Sequence, residues 1–260
     1  MKQKIYFVDA FAHNRFEGNP AGVCILENPL EDNLMQKIAA ENNLSETAFV
    51  LWKNDKFSIR WFTPAIEVDL CGHATLASAF ILFNEIGYKR EIIEFESKSG
   101  VLKVSCKDNL IIMDFPVMHL VGTEIKEFHL QMFDKTPVEV YTTADDYVFV
   151  FSSEEEIRNL KPDMNRLAEL DCRGVIVTAR GDEVDFVSRF FGPAVGIPED
   201  PVTGSAHTKL IPYWSGVLTK DVLIARQLSK RGGTLYCENK GSRVDIGGEA
   251  VLYLTGEIDI

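Results

Sequence analysis

Ile59-Arg60-Trp61-Phe62-Thr63-Pro64-Ala65 returns 129 residues later as Ser188-Arg189-Phe190-Phe191-Gly192-Pro193-Ala194, with Arg, Phe, Pro and Ala at matching places. Cys71-Gly72-His73-Ala74 then returns as Thr203-Gly204-Ser205-Ala206 at a spacing of 132, which requires a three-residue insertion in the second copy. In each copy a predicted strand runs through Pro-Ala into a loop, and a glycine opens an apolar run. Two matches in one order at nearly one spacing point to an internal duplication, the signal to settle before local structure is trusted.

Working outward, short or period-two apolar runs bounded by Gly, Pro, Asn or charges predict strands. In the first half they are Ile5–Phe11, Gly22–Leu26, Thr47–Trp52, Phe57–Phe62, Ile92–Glu96, Leu102–Cys106 and Leu110–Phe115. The second half offers Val138–Thr142, Tyr147–Phe151, Gly174–Thr178, Val184–Phe191, Val222–Leu228, Thr234–Cys237, Val244–Ile246 and Val251–Leu254. Helices are predicted at Glu31–Asn42, Ala74–Ile86 and Ser153–Leu160, the last with carboxylates in its first turn, where they suit the helix dipole. Ala74–Ile86 has almost no polar face, so it should be buried. A run beginning near Ser205 should break or kink at Pro212. The expected fold is α+β: two similar domains, each a sheet wrapped around one buried helix.

The 260 residues suit one or two domains. With 46 % hydrophobic and 25 % charged residues, the composition is that of an ordinary globular chain. The net charge of −12 makes nucleic acid and anionic membrane poor partners. Five scattered cysteines without a C-x-x-C pair predict reduced thiols, a cytoplasmic location and no zinc site. Asp9 interrupts any signal-like start, and Ala74–Phe83 is about half the roughly 20 residues a membrane span needs.

The chemistry gathers at the repeat motifs. A loop ending in Gly before a helix lets backbone approach closely, and the first helical N–H groups lack intrahelical partners. Two such starts aimed at one cleft would hold a substrate carboxylate or a developing enolate. Beside them the sequence places Glu46, His73 and Asp200, all able to move protons. Taken singly, each also reads as a surface carboxylate, a helix-start residue or a turn residue before Pro.

At these residues the sequence resembles the phenazine-biosynthesis PhzF-like family of the diaminopimelate epimerase superfamily. The match is carried by Gly18-Asn19-Pro20-Ala21-Gly22-Val23, Asn43-Leu44-Ser45-Glu46-Thr47-Ala48-Phe49, Arg60-Trp61-Phe62-Thr63-Pro64 and Leu70-Cys71-Gly72-His73-Ala74-Thr75. The second half adds Arg189-Phe190-Phe191-Gly192-Pro193, Glu199-Asp200-Pro201-Val202-Thr203-Gly204-Ser205-Ala206-His207, Pro212-Tyr213-Trp214, Gln227-Leu228-Ser229 and Arg231-Gly232-Gly233. The resemblance implies two pseudo-symmetric domains, residues 1–116 with 250–260 and residues 117–249, each a curled sheet or barrel around a central helix, with the active site between them. It implies a cofactor-independent, metal-free isomerase, often a homodimer, acting on a small carboxylate-bearing substrate. Glu46 would be the general acid/base, His73, Asp200 and Ser205 its catalytic partners, and Gly72, Ala74, Thr203 and Gly204 substrate-binding residues.

Related epimerases are similar in placing one cysteine on each side of the substrate carbon. Here Cys71 faces Thr203 in the alignment of the copies, and a threonine hydroxyl cannot replace a thiol of pKa about 8.5. One carboxylate that removes a proton and returns it elsewhere on the same face fits better. The alternatives are a Cys71-dependent racemase or epimerase, and a non-catalytic carboxylate-binding protein. His207 and Lys209 stand where the resemblance leads us to expect smaller residues.

Overall fold

The period-two segments fold as strands and the segment without a polar face as a buried helix, because sheet and helix each need an apolar face covered. The structure, a computed structural model, describes residues 2–54 and 56–260. In chain order the elements are β1 (Lys2–Ala10), β2 (Asn19–Leu26), α1 (Asp32–Asn42), β3 (Glu46–Lys53), β4 (Lys56–Phe62), β5 (Glu67–Val68), α2 (Gly72–Phe80), β6 (Ile92–Ser97), β7 (Gly100–Lys107) and β8 (Leu110–Pro116). There follow β9 (Val121–Thr123), α3 (Glu127–Leu130), β10 (Glu139–Thr142), β11 (Asp146–Val150), α4 (Glu154–Asn159), α5 (Met164–Ala168), β12 (Gly174–Arg180) and β13 (Phe186–Phe191). The last are α6 (Gly204–Leu218), β14 (Val222–Gln227), β15 (Gly233–Asn239), β16 (Arg243–Gly248) and β17 (Ala250–Asp259). Each predicted strand is present with small shifts at its ends. The short elements β5, β9, α3 and α5 had no sequence signal strong enough to announce them.

The chain divides into two units, Met1–Phe115 with Ile246–Ile260, and Pro116–Asp245. In the first, β17 and β2 flank β1 antiparallel, β3 joins β2 parallel, β4 joins β3 antiparallel, β6 joins β4 parallel and β7 joins β6 antiparallel. In the second, β9 and β11 flank β10 antiparallel, followed by parallel β12, antiparallel β13, parallel β14 and antiparallel β15. The same series of six pairings occurs twice, so the repeat in sequence is a repeat in topology.

Within the first unit α2 packs against β1, β2 and β3, with His73 through Ala79 buried. Its two buried hydroxyls are satisfied inside the helix: Thr75 Oγ1 donates to Cys71 O at 2.6 Å and Ser78 Oγ to Ala74 O at 2.7 Å. The predicted run begins two residues earlier, at Gly72, and its last turn, Ile81–Glu85, is a π-helix closed by Ile86 N donating to Ile81 O. A second layer lies over Ile5, Cys24, Leu26, Phe49 and Phe62, where α1 contributes Met35, Ile38 and Ala39. With apolar cover on both faces, β2 reads as a nearly continuous buried run, the pattern of a strand inside a sheet covered on both sides.

In the second unit α4 and α5 supply Ile157 and Leu167 to the core formed with Val140, Phe149, Val175, Val177 and Phe191. Of the break or kink expected at Pro212, the break does not occur, since helix α6 runs for 15 residues with Pro212 inside it. Proline removes the N–H that would bond the carbonyl four residues back. That carbonyl, Thr208 O, instead accepts from Met118 N at 3.2 Å, so no acceptor is orphaned. Farther along, Trp214 Nε1 donates to Thr178 Oγ1 at 2.9 Å and its ring stacks on Phe186.

Two stability predictions follow from this packing. Gly18 has φ +65, and a Cβ there would stand 2.1 Å from the carbonyl oxygen of Ala10. Gly18→Ala should therefore cost about 3 kcal/mol in urea unfolding, because the obstacle is backbone and the left-handed conformation adds strain. His207 is fully buried on α6, and burial pushes its pKa down to about 4. The folded state keeps it neutral while the unfolded chain protonates near 6.5, so its contribution is intact above pH ~6.5 and drains away as pH falls toward ~4. Urea midpoints across that window should slope less in His207→Leu than in the parent.

Candidate active site

Glu46 is the first residue of β3, and the parallel ladder sets it opposite Ala21 of β2. The chain reaches it from α1 through Asn43, which is left-handed with φ 49. Asn42 Nδ2 donates to Thr47 Oγ1 at 3.1 Å, fixing the turn. Gly22 is required beside that hydroxyl, since a Cβ would come within 2.9 Å of it. Half-buried Glu46 is thus held by its own neighbours rather than left on a free loop.

Its Oε2 lies 3.1 Å from Nε2 of buried His73, the second residue of α2. The approach falls off the line of a hydrogen bond, so the contact is an ion pair that a small rotation would turn into a proton path. The other ring nitrogen, Nδ1, is 3.6 Å from Cys71 Sγ. One ligand atom from each of Glu46, Cys71 and His73 falls within 4.8 Å of the others. Thiol, imidazole and carboxylate are donors that zinc accepts. Here, however, each ring nitrogen faces a different neighbour, which is the geometry of a relay more than of a chelate.

Burial and Glu46 push the Cys71 thiol up. Burial works against the His73 imidazolium, but Cys71 and Glu46 outweigh it and hold its pKa well above 6.5. Gly72 opens α2 with no side-chain cap on the helix, so its first amides are open to an acceptor. The side chain of Ala74 is fully buried, and its N–H is directed to the Cys71 sulfur.

The second unit holds the other sequence-predicted residues. Thr203 is the N-cap residue of α6, Gly204 the first helical residue and Ser205 the second, again without a side-chain cap. Thr203 Oγ1 donates to Asp200 Oδ2. Gln227 braces the loop, accepting from Thr203 N at 2.9 Å and donating to Asp200 O at 2.8 Å. Ser205 Oγ accepts from Arg173 Nη1 at 3.0 Å. Arg173 grips Asp146 with two hydrogen bonds of 3.0 and 2.6 Å, and Lys209 Nζ reaches the same carboxylate at 2.6 Å. Sequence reading missed Arg173 and Asp146: they are 27 residues apart, and no local pattern joins them.

The two clusters occupy corresponding places. The first pair of the parallel ladder is Ala21 with Glu46 in one unit and Asp146 with Gly174 in the other. Glu46, Cys71 and His73 therefore correspond to Gly174, Thr203 and Ser205. Ahead of each helix an arginine fork grips a glutamate: Arg60 Nε to Glu67 at 2.7 Å, and Arg189 Nε to Glu199 at 2.7 Å. Hydrogen bonds from Arg60, stronger than the opposing effect of burial, hold Glu67 down to about 2.

Comparisons with known proteins bear on this arrangement. A family model described as "Phenazine biosynthesis-like protein" (PhzC-PhzF) matches residues 8–256. An uncharacterized isomerase of Pseudomonas aeruginosa is 50% identical over 260 residues, covering 99% of this chain and 99% of its own. A crystal structure of a phenazine biosynthesis protein of the PhzF family from Enterococcus faecalis is similar with a TM-score of 0.98 and 48% identity, covering 100% of both chains. A hydroxyproline epimerase from Agrobacterium vitis shares the fold alone, with a TM-score of 0.62 and 9% identity over 99% of this chain and 92% of its own. Among the described residues no helix is long and apolar enough to cross a membrane. Sequence, topology and these likenesses agree: the chain belongs to the phenazine biosynthesis-like family and is an isomerase.

Proposed function

We propose that the protein is a cofactor-independent isomerase that moves a proton between two carbons of a small carboxylate-bearing substrate, with Glu46 as the single general acid/base. The observation that carries this reading is that carboxylate, imidazole and thiol meet in one copy of the repeat, while the other offers Gly174, Thr203 and Ser205 at the corresponding places. A reaction needing an acid and a base on opposite faces would call for titrating groups in both copies. One carboxylate that takes a proton and gives it back needs only one.

In the proposed step Glu46 Oε2 takes the proton from a carbon next to the carboxylate, and the C–H electron pair moves into the conjugated system as an enolate. The open amides of Gly72 and His73 suit that developing negative charge, and the neighbouring imidazolium steadies it. The proton then leaves Glu46 for a second carbon on the same face, which regenerates the carboxylate. Ser205 and the open amides at Gly204 hold the anionic part of the substrate in this reading, with Asp200 and Thr203 fixing the helix start that presents them. The Cys71-dependent alternative has the right neighbours but the wrong electrostatics, because burial disfavours the thiolate it needs.

Proton NMR of small carboxylic acids incubated with enzyme in deuterated water is the test. Solvent deuterium should enter the substrate, and Glu46→Gln should lower exchange by at least about 10²-fold while the protein stays folded. Unchanged exchange in that variant removes Glu46 from the role. Cys71→Ser should cost less than about tenfold, a packing-scale effect, and loss of exchange there would hand the reaction to the thiol.

A further inference from the structure

In one unit the start of β3 and the start of the buried helix meet as Glu46 on His73. The corresponding meeting in the other unit is Arg173 on Ser205: Arg173 immediately precedes Gly174, the counterpart of Glu46, and Ser205 is the counterpart of His73. We propose that Arg173 is a positioning residue that holds Ser205 as a hydrogen-bond donor to an anionic oxygen of the substrate.

The fork of Arg173 has little freedom. Nε and Nη2 are engaged by the two oxygens of Asp146, whose side chain is fully buried, and the guanidinium lies over the Phe190 ring at 5.3 Å from its centroid. Lys209, itself 1 % exposed, neutralises the same carboxylate, so the Asp146 charge is shared between two cations. Burying Asp146 and Lys209 is costly, and the arrangement leaves Nη1 of the more exposed Arg173 pointed at a hydroxyl at the helix start. A serine oxygen that accepts from Arg173 must send its own proton elsewhere, which makes Ser205 a donor. Asp145 and Asp200 also favour the Arg173 charge. Asp200 is already bonded by Thr203, and Asp145 is solvent-exposed.

This rests on the reading that Ser205 meets the anionic part of the substrate, and its test is independent of Glu46. Inorganic sulfate serves as the probe, titrated into the full chain by calorimetry against sodium chloride of matched ionic strength. Sulfate should bind the parent. Ser205→Ala and Arg173→Gln should each weaken it about tenfold, and the double variant should be no weaker than either single one, as expected for groups that act as a unit. Arg173→Lys keeps the charge without the fork and should recover less than a third of the lost affinity. If Arg173→Gln does not fold, Arg173→Lys against Ser205→Ala decides alone.

The proposal is overturned by absence of sulfate binding in the parent, by full recovery in Arg173→Lys, by additive losses in the double variant, or by an Arg173→Gln protein that is less stable but binds sulfate normally. Continued exchange in Glu46→Gln would sink the acid/base assignment and leave the sulfate result standing.

Discussion

The geometry of both buried helices depends on a bidentate arginine–glutamate fork at the exit of a strand. Arg60 on β4 grips Glu67, and Arg189 on β13 grips Glu199. Each guanidinium also covers a phenylalanine two residues on, at 5.1 and 4.9 Å. A planar fork matched to a carboxylate fixes orientation as well as distance. In both units the glutamate precedes the helix N-cap residue by four positions, so the fork sets where Cys71 and Thr203 stand. The open amides, and every side chain next to them, inherit their places from that anchor.

From this shared frame the copies have diverged in chemistry. One places a carboxylate, an imidazole and a thiol, groups able to exchange protons, around the helix start. The other places groups whose charge is fixed, with a carboxylate buried under two cations. Fixed charge orients a substrate but cannot carry hydrogen, and a titrating cluster does the reverse. The two copies thus differ in chemistry within an otherwise repeated topology.

Much of the fold was legible in the sequence because strands announce themselves by period two and the buried helix by its lack of a polar face. Glu46, His73 and Ser205 were legible because they sit inside motifs adjoining the repeat. What was hidden depends on tertiary compensation. The run through Pro212 is continuous because Met118, far away in the chain, supplies the missing donor. The Asp146–Arg173 pair joins the start of β11 to the residue just before β12. Such relations have no local period, and the residue alphabet alone does not encode them.

The ring of Phe190 carries a further consequence. A Cβ on Gly174 would lie 2.1 Å from its outermost carbon, so the aromatic occupies the volume that a side chain at the Glu46-equivalent position would need. Placing a side chain there requires Phe190, whose face also supports Arg173, to shift. The packing thus keeps the second copy from holding a side chain where the first holds Glu46.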